Sequence, residues 1–442
     1  MRKASLLFCL LLPLTINAQQ LSIDAMIQRD MASMLSTYKM LHAAPELSHR
    51  EEKTSLFFAG ELRKLGYTVT ERLGKFDNAE WTGYGVVAVM KNGAGPTVLL
   101  RTELDALPVE EKTGVPYASK VRVKNDAGVE VSVMHACGHD IHMTSLLATA
   151  KILSELKSQW QGTLVLLGQP SEETGDGARA LLKDNLYTRF PQPDFAIALH
   201  DKPDIETGKI GYTPGYAMAS ATSIDIKIRG IGGHGSAPET TKDPVVVAAQ
   251  VVLALQTIVS RENSPLEPAV VTVGSIHGGT RYNIIPDEVN LQLTVRTYKE
   301  DVRQKILASI ERIVKAAVLS AGIPEDRGPI IKVSEGTTST YNEPKLLERL
   351  MPALQRALGA ENVVQMPPMM ASEDFGYLSL DQKIPATIIW LGASAPEKVK
   401  AYRESGAPLP GLHSALFAPV PEPTLRTGVK ATTATVLELM KK

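Results

Sequence analysis

The sequence predicts an α/β protein: a mostly parallel sheet covered by helices, interrupted by an inserted ferredoxin-like α+β domain. Three observations carry this reading. Short apolar runs bounded by turn residues alternate with helix-period stretches through the first half of the chain. Between about Tyr216 and Gly336 the texture changes to strands with one wet face. After that stretch, helix and apolar strand resume. The expected organisation is a leader at residues 1–18, a main domain built from 19–215 and 337–442, and an insert at 216–336.

At the start, Arg2 and Lys3 precede an apolar run from Leu6 to Leu14, and Ala18 closes it with a small residue. This is the pattern of a secretory signal peptide, and it places the protein in a secreted or periplasmic location. The run is about half of the roughly 20 apolar residues that a membrane span requires. Cys9 lies inside it. The expected mature chain therefore holds one cysteine, Cys137, and no internal disulfide, although it enters an oxidising compartment.

In the main domain, "PTVLLRTELDALP" carries an apolar run at Val98–Leu100 that breaks into Glu103 and Asp105. "GTLVLLGQPSEETGDGA" runs from Leu164 to Leu167 and delivers Glu172 and Glu173. "DFAIALHDKP" runs from Phe195 to Leu199 and ends on His200. Such runs suit strands buried on both faces. Between them, Met143, Leu146, Leu147, Ala150 and Leu153 recur at helical spacing after His139. In the insert, "TSIDIKIRG", "AVVTVGSIHGG", "EVNLQLTVRTY" and "PIIKVSE" read as strands. Two helices separate them, one opened by Asp243–Pro244 and one closed by Gly322. The order β-α-β-β-α-β is ferredoxin-like.

Ligands of such sheets bind beyond the carboxyl ends of the strands, where Glu103, Asp105, Glu172, Glu173 and His200 all fall. The stretch "MHACGHDIHMTS" adds His135, Cys137, His139 and His142. Clustered thiol, imidazole and carboxylate groups suit zinc, manganese, cobalt or nickel. A cysteine nucleophile with a histidine base is the rival reading, and it leaves Glu172, Glu173 and His200 without a role. A formal net charge of −1 without a basic stripe gives no nucleic-acid partner; after the leader no segment is expected to be able to span a membrane, and no membrane partner is expected.

RTELDALP, MHACGHD, QPSEETGDGA, ALH, GIGGHGSAP, TRYNIIPDE, ASEDFGY and GLHS occur in the order seen in a family of two-metal amidohydrolases, which this chain resembles over nearly its whole mature length. That family includes hippurate hydrolase, N-acyl-amino-acid amidohydrolases, indole-acetyl-amino-acid hydrolases and related carboxypeptidases. The resemblance implies two divalent metal ions held by Cys137, His139, Glu173, His200 and His413, with Cys137 bridging, and Glu172 as general base. It implies that His234 reaches the substrate from a lid, sometimes in a neighbouring subunit. Asn283, Arg281 and Arg296 are implied near the substrate carboxylate, although for Arg296 plain surface charge is an equal reading.

The substrate class implied is an N-acyl amino acid, with short peptides and a carboxypeptidase or dipeptidase activity as the alternative. A homodimer through the lid is also implied. Glu103 departs from the family, which more often has aspartate there, so Glu103 and Asp105 are expected as supports for the ligands. His135 is expected beside the site. His142 is expected as a solvated or helix-start residue, and His42 and His49 as surface or packing residues. His277 is expected to be structural, and Asp374 a hydrogen-bonding orienter.

Overall fold

A computed structural model describes residues 22–442; the expected leader and Cys9 lie outside the described residues. The main sheet has eight strands. In spatial order these are Thr68–Leu73, Gly85–Asn92, Gly162–Gln169, Thr97–Glu103, Phe195–Glu206, Ala386–Ser394, Ile210–Tyr212 and Val363–Gln365. The four central strands, from Gly162–Gln169 to Ala386–Ser394, run parallel to one another, while Gly85–Asn92 joins them antiparallel.

Side-chain alternation divides each central strand between two cores. Val98, Leu100, Leu164, Leu166, Ile197 and Ile389 face helices Ile23–Ala43, Glu52–Lys64, His139–Glu155 and Pro421–Met440. Leu99, Val165, Leu167, Ala196 and Ile388 face the other side, with Gly177–Lys183 and the turn at Phe375–Ser379.

The strand expected to end at His200 continues to Glu206. Its pairing with Thr97–Glu103 stops at Ala198, while pairing with Ala386–Ser394 runs on past His200. From that point one side of the strand has lost its neighbour, and space opens over the end of Thr97–Glu103. A one-sided strand tolerates the polar residues that follow, which is why the apolar run alone understates its length.

The second sheet has the order Ala269–Gly278, Glu288–Thr297, Ser220–Arg229 and Ile330–Thr337, all antiparallel. Helices Pro244–Thr257 and Glu300–Ser320 pack on one face through Val247, Val251, Leu255, Ile306, Ile310 and Val314. This is the ferredoxin-like arrangement. The Asp243 carboxylate accepts from Val245 N–H (2.8 Å), capping a helix that starts on proline. The apolar stretch Pro244–Glu262 is long and apolar enough, by length and composition, to cross a membrane, which corrects the expectation that no such segment follows the leader. Here it lies against the second sheet and leaves Val245, Val246 and Leu253 exposed. Gly215–Met218 pairs with Thr340–Asn342 where the chain passes between the two sheets.

Candidate metal centre

Thr97–Glu103, Gly162–Gln169 and Phe195–Glu206 deliver their carboxyl ends to one place. Cys137, His139, His200, Glu173 and His413, all expected as ligands, meet there in overlapping groups whose donor atoms lie within 4.8 Å of one another. Cys137 Sγ is 3.6 Å from His200 Nε2. His139 Nε2 is 3.7 Å from Glu172 and 3.8 Å from Glu173, and His413 Nε2 is 3.3 Å from Glu173.

The local backbone explains how one short loop supplies two of these groups. Gly138 sits at φ +85° between them and starts helix His139–Glu155. A Cβ there would lie 2.5 Å from Asp201 Oδ2, so only glycine fits. His413 is itself left-handed (φ 64°), and its N–H donates to Ala136 O (2.8 Å), which ties the late loop to the early one.

The groups present fit divalent ions. His139 Nε2 and Glu173 Oε1 are buried without a hydrogen-bond partner. His139 Nδ1 is held 2.8 Å from the Asp105 carbonyl, which turns Nε2 toward the cluster. Burial disfavours a charged ring at His139, yet Asp105, Glu103 and Glu173 outweigh it and push its pKa up to about 10. The surroundings thus stabilise positive charge at this point. His200 goes the other way: burial pushes it down to about 3, leaving a neutral imidazole.

Cys137 is buried and faces Glu173 and Glu172, so burial and then these carboxylates push its thiol well up. Glu172 is likewise pushed up by burial, then by Glu373 and Glu173.

Around the cluster lies a buried polar layer. The Asp105 carboxylate accepts from Ser48 Oγ (2.7 Å) and Glu173 N–H (3.0 Å), so it does support the ligands. Glu103 Oε2 is 2.9 Å from His142 Nδ1, and Asp201 N–H donates to His142 Nε2 (2.8 Å). His142 is therefore neither solvated nor a simple helix-start residue: it is buried and bonded at both nitrogens. Burial disfavours its charged form, and Glu103 with Asp201 pushes it to about 9. A backbone N–H cannot share Nε2 with a proton, however, so the geometry makes the ring neutral and protonated at Nδ1.

His42 and His49, expected as surface or packing residues, are also buried and polar in role. His42 lies between Asp140 (2.7 Å) and Glu111 (3.1 Å). His49 stacks on Trp81 at 3.7 Å and reaches Asp176 (3.2 Å). His135 is buried with neither ring nitrogen hydrogen-bonded.

The loop carrying Glu172 and Glu173 is braced from residues 48–51. His49 N–H donates to Ser171 Oγ (2.9 Å), and Ser171 N–H and Oγ–H donate to Glu51 Oε1 (2.7 and 3.0 Å). Gly175 is left-handed (φ 70°), and a Cβ on Gly177 would lie 1.7 Å from Pro170 O, so the glycines after the pair permit its turn.

One central residue went unpredicted. Arg101 is fully buried, ion-paired to Glu103, to Glu373 (2.7 Å) and to Asp374 (3.1 Å), and bonded to Gln169 (2.9 Å). Asp374 also accepts from Gln169 Nε2 (2.6 Å) and Ala178 N–H (2.9 Å), the orienting role expected of it. A lone arginine inside an apolar strand was the available signal, since a buried charge requires partners.

The centre forms the floor of a cleft of about 750 Å³. Arg296 lines this cleft; its guanidinium bonds Ser372 Oγ (2.6 Å) and Thr294 Oγ1 (3.2 Å). His234, Arg281 and Asn283 do not line it. They sit exposed at a small two-stranded tip, where His234 pairs with Ile284 and Gly235 N–H donates to Asn283 O (2.9 Å). His234 Nδ1 accepts from Ser236 Oγ (2.7 Å). His277 is exposed beside a separate depression with Asn290.

Comparison with known proteins identifies the family. Residues 99–405 match the model of peptidase family M20/M25/M40. The chain is 35% identical to N-acetyl-L-cysteine deacetylase of Bacillus subtilis, over 81% of this chain and 80% of that protein. It is 36% identical to hippurate hydrolase of Campylobacter jejuni, over 76% and 82%. Its fold matches the crystal structure of the Bacillus subtilis YXEP protein, described as a dinuclear metal-binding peptidase. That match has a TM-score of 0.72 and 25% identity, and covers 93% of this chain and 99% of that one.

Proposed function

This chain belongs to peptidase family M20/M25/M40, and from that premise we propose that it hydrolyses the amide bond between an acyl group and an amino acid bearing a free carboxylate. One observation carries the reading: a carboxylate not assigned as ligand, Glu172, stands 3.7 Å from His139 on the floor of a cleft whose wall presents Arg296. The two relatives are named for N-acetyl-L-cysteine and hippurate, both N-acyl amino acids.

Cys137, His139, Glu173, His200 and His413 would hold two divalent ions. Bound there, such ions polarise an amide carbonyl and lower the pKa of water. Glu172 takes the proton of the attacking water and passes it to the leaving amine. Arg296, whose hydrogen bonds to described residues go to the hydroxyls of Thr294 and Ser372, receives the substrate carboxylate. Asp105, Glu103 and Arg101 keep the ligands and Glu172 in position.

Release of free amino acid from N-acetyl, N-benzoyl and dipeptide substrates, with and without a strong chelator, tests this. Chelator-sensitive release, restored by manganese, cobalt, zinc or nickel, is expected. Release that ignores the chelator and stops on thiol alkylation would overturn the reading. Preference for the dipeptides would favour the carboxypeptidase or dipeptidase alternative.

Two finer points belong to the same proposal. His234, Asn283 and Arg281 lie outside the cleft of their own chain, near a lid helix that exposes Val245, Val246 and Leu253. Pairing two lids would bring one protomer's His234 to its partner's cleft. Mixing inactive His234→Ala and Glu172→Gln proteins should then restore activity, and no restoration would reject that arrangement. Export through the leader at residues 1–18 is tested by fractionating the producing cells and sequencing the exported N-terminus.

A further inference from the structure

The cleft is large for an N-acetyl amino acid: about 750 Å³ lies in the range that takes drug-sized ligands. If the carboxylate rests at Arg296 and the carbonyl over the ligand cluster, the acyl group extends along the remaining wall. That wall is built by helix Pro396–Ser405 and the loop running on to His413. It presents Tyr402, Leu409 and Leu412 to the cleft, above the buried Trp390. Arg403 ties the helix down by donating to Asp204 O (2.9 Å). Two charged groups that line the cleft beside this wall, Lys202 and Asp204, are paired with each other at 2.7 Å. Tyr402 remains 45% exposed, an aromatic surface at the mouth of the cleft that the chain itself leaves uncovered.

We infer that Tyr402, Leu409 and Leu412 form an acyl subsite that selects bulky apolar acyl groups over acetyl. This rests on the amidohydrolase reading and sharpens it, because the two relatives named above take a small acyl group in one case and a benzoyl group in the other. Apolar groups leaving water for such a wall strengthen transition-state binding by about fourfold per fully buried methylene.

The test compares kcat/KM for N-acetyl, N-benzoyl and N-octanoyl forms of one common set of amino acids, using the metal-loaded protein. An octanoyl-to-acetyl ratio of about tenfold or more is expected, with benzoyl between. Leu409→Asp and Tyr402→Ala should each lower that ratio by about fivefold. Thermal melting of both variants shows whether they fold, and Tyr402→Ala, at an exposed position, keeps the test open if Leu409→Asp does not. A ratio near one, or one that neither variant moves, overturns the acyl subsite while leaving the amidohydrolase standing. No amino acid released from any member of the series overturns both.

Discussion

The floor of the cleft and the tip of the lid are opposites. At the floor, Cys137, His139, Glu173 and His200 are nearly all out of water, and beneath them lie two hydrogen-bonded groups, Asp105 with Ser48 and the Glu173 N–H, and Arg101 with Glu103, Glu373 and Asp374. At the tip, His234, Arg281 and Asn283 are exposed, and the His234 ring bonds its near neighbour Ser236. The floor is organised before any ligand arrives; the tip gains partners only when something approaches it. Metal chemistry needs ligands fixed to within a fraction of an ångström. Substrate capture tolerates, and for entry requires, groups that start in solvent.

Four substitutions probe this contrast, from the largest effect to the smallest. Glu172→Gln should lower kcat by about 10²–10⁴-fold while metal content, read by elemental analysis, stays unchanged. Retained activity would remove Glu172 from the role of base. Arg101→Met leaves Glu103, Glu373 and Asp374 buried without their cation, and should cost about 3–5 kcal/mol in urea unfolding. A midpoint equal to that of the unaltered protein would show that the layer under the floor is not held by charge.

Arg296→Met should raise KM by roughly ten- to a hundredfold through loss of a charged hydrogen bond, with metal content intact. An unchanged KM would return Arg296 to plain surface charge.

The smallest effect is a pH dependence. Burial opposes a charged His42, but Asp140 and Glu111 outweigh it and push its pKa up to about 9. A histidine raised in the folded state contributes stability that is fully present below pH 6.5 and is lost as pH rises through 9. The upper bound is about 3 kcal/mol. The melting temperature should therefore fall between pH 6.5 and 9, and His42→Gln should flatten that fall. An equal slope in both proteins would rule His42 out as its source.

The strands and the clustering of Cys137, His139, Glu172, Glu173 and His200 were legible in the sequence because both leave local marks. Apolar runs show where buried strands lie, and Glu172, Glu173 and His200 follow such runs directly. His413 carried no local mark, since a loop histidine looks like any other, and only the family resemblance pointed to it. Burial of polar residues was not legible: His42, His49 and His142 read as solvated or packing residues, because their carboxylate partners are far away in sequence. Arg101 was missed for the same reason, although its place inside an apolar strand was a visible anomaly. The placement of His234 outside its own cleft depends on how two domains meet, and hydrophobic periodicity carries no information about that.

The bond from His413 N–H to Ala136 O joins residues on either side of the entire inserted domain. During synthesis, Cys137, His139, Glu173 and His200 emerge well before His413. The proposed donor set closes only after the lid sequence has been made and the chain has returned to the main sheet, so a chain stopped before His413 lacks one of its five proposed donors and the strap that ties the late loop to Ala136.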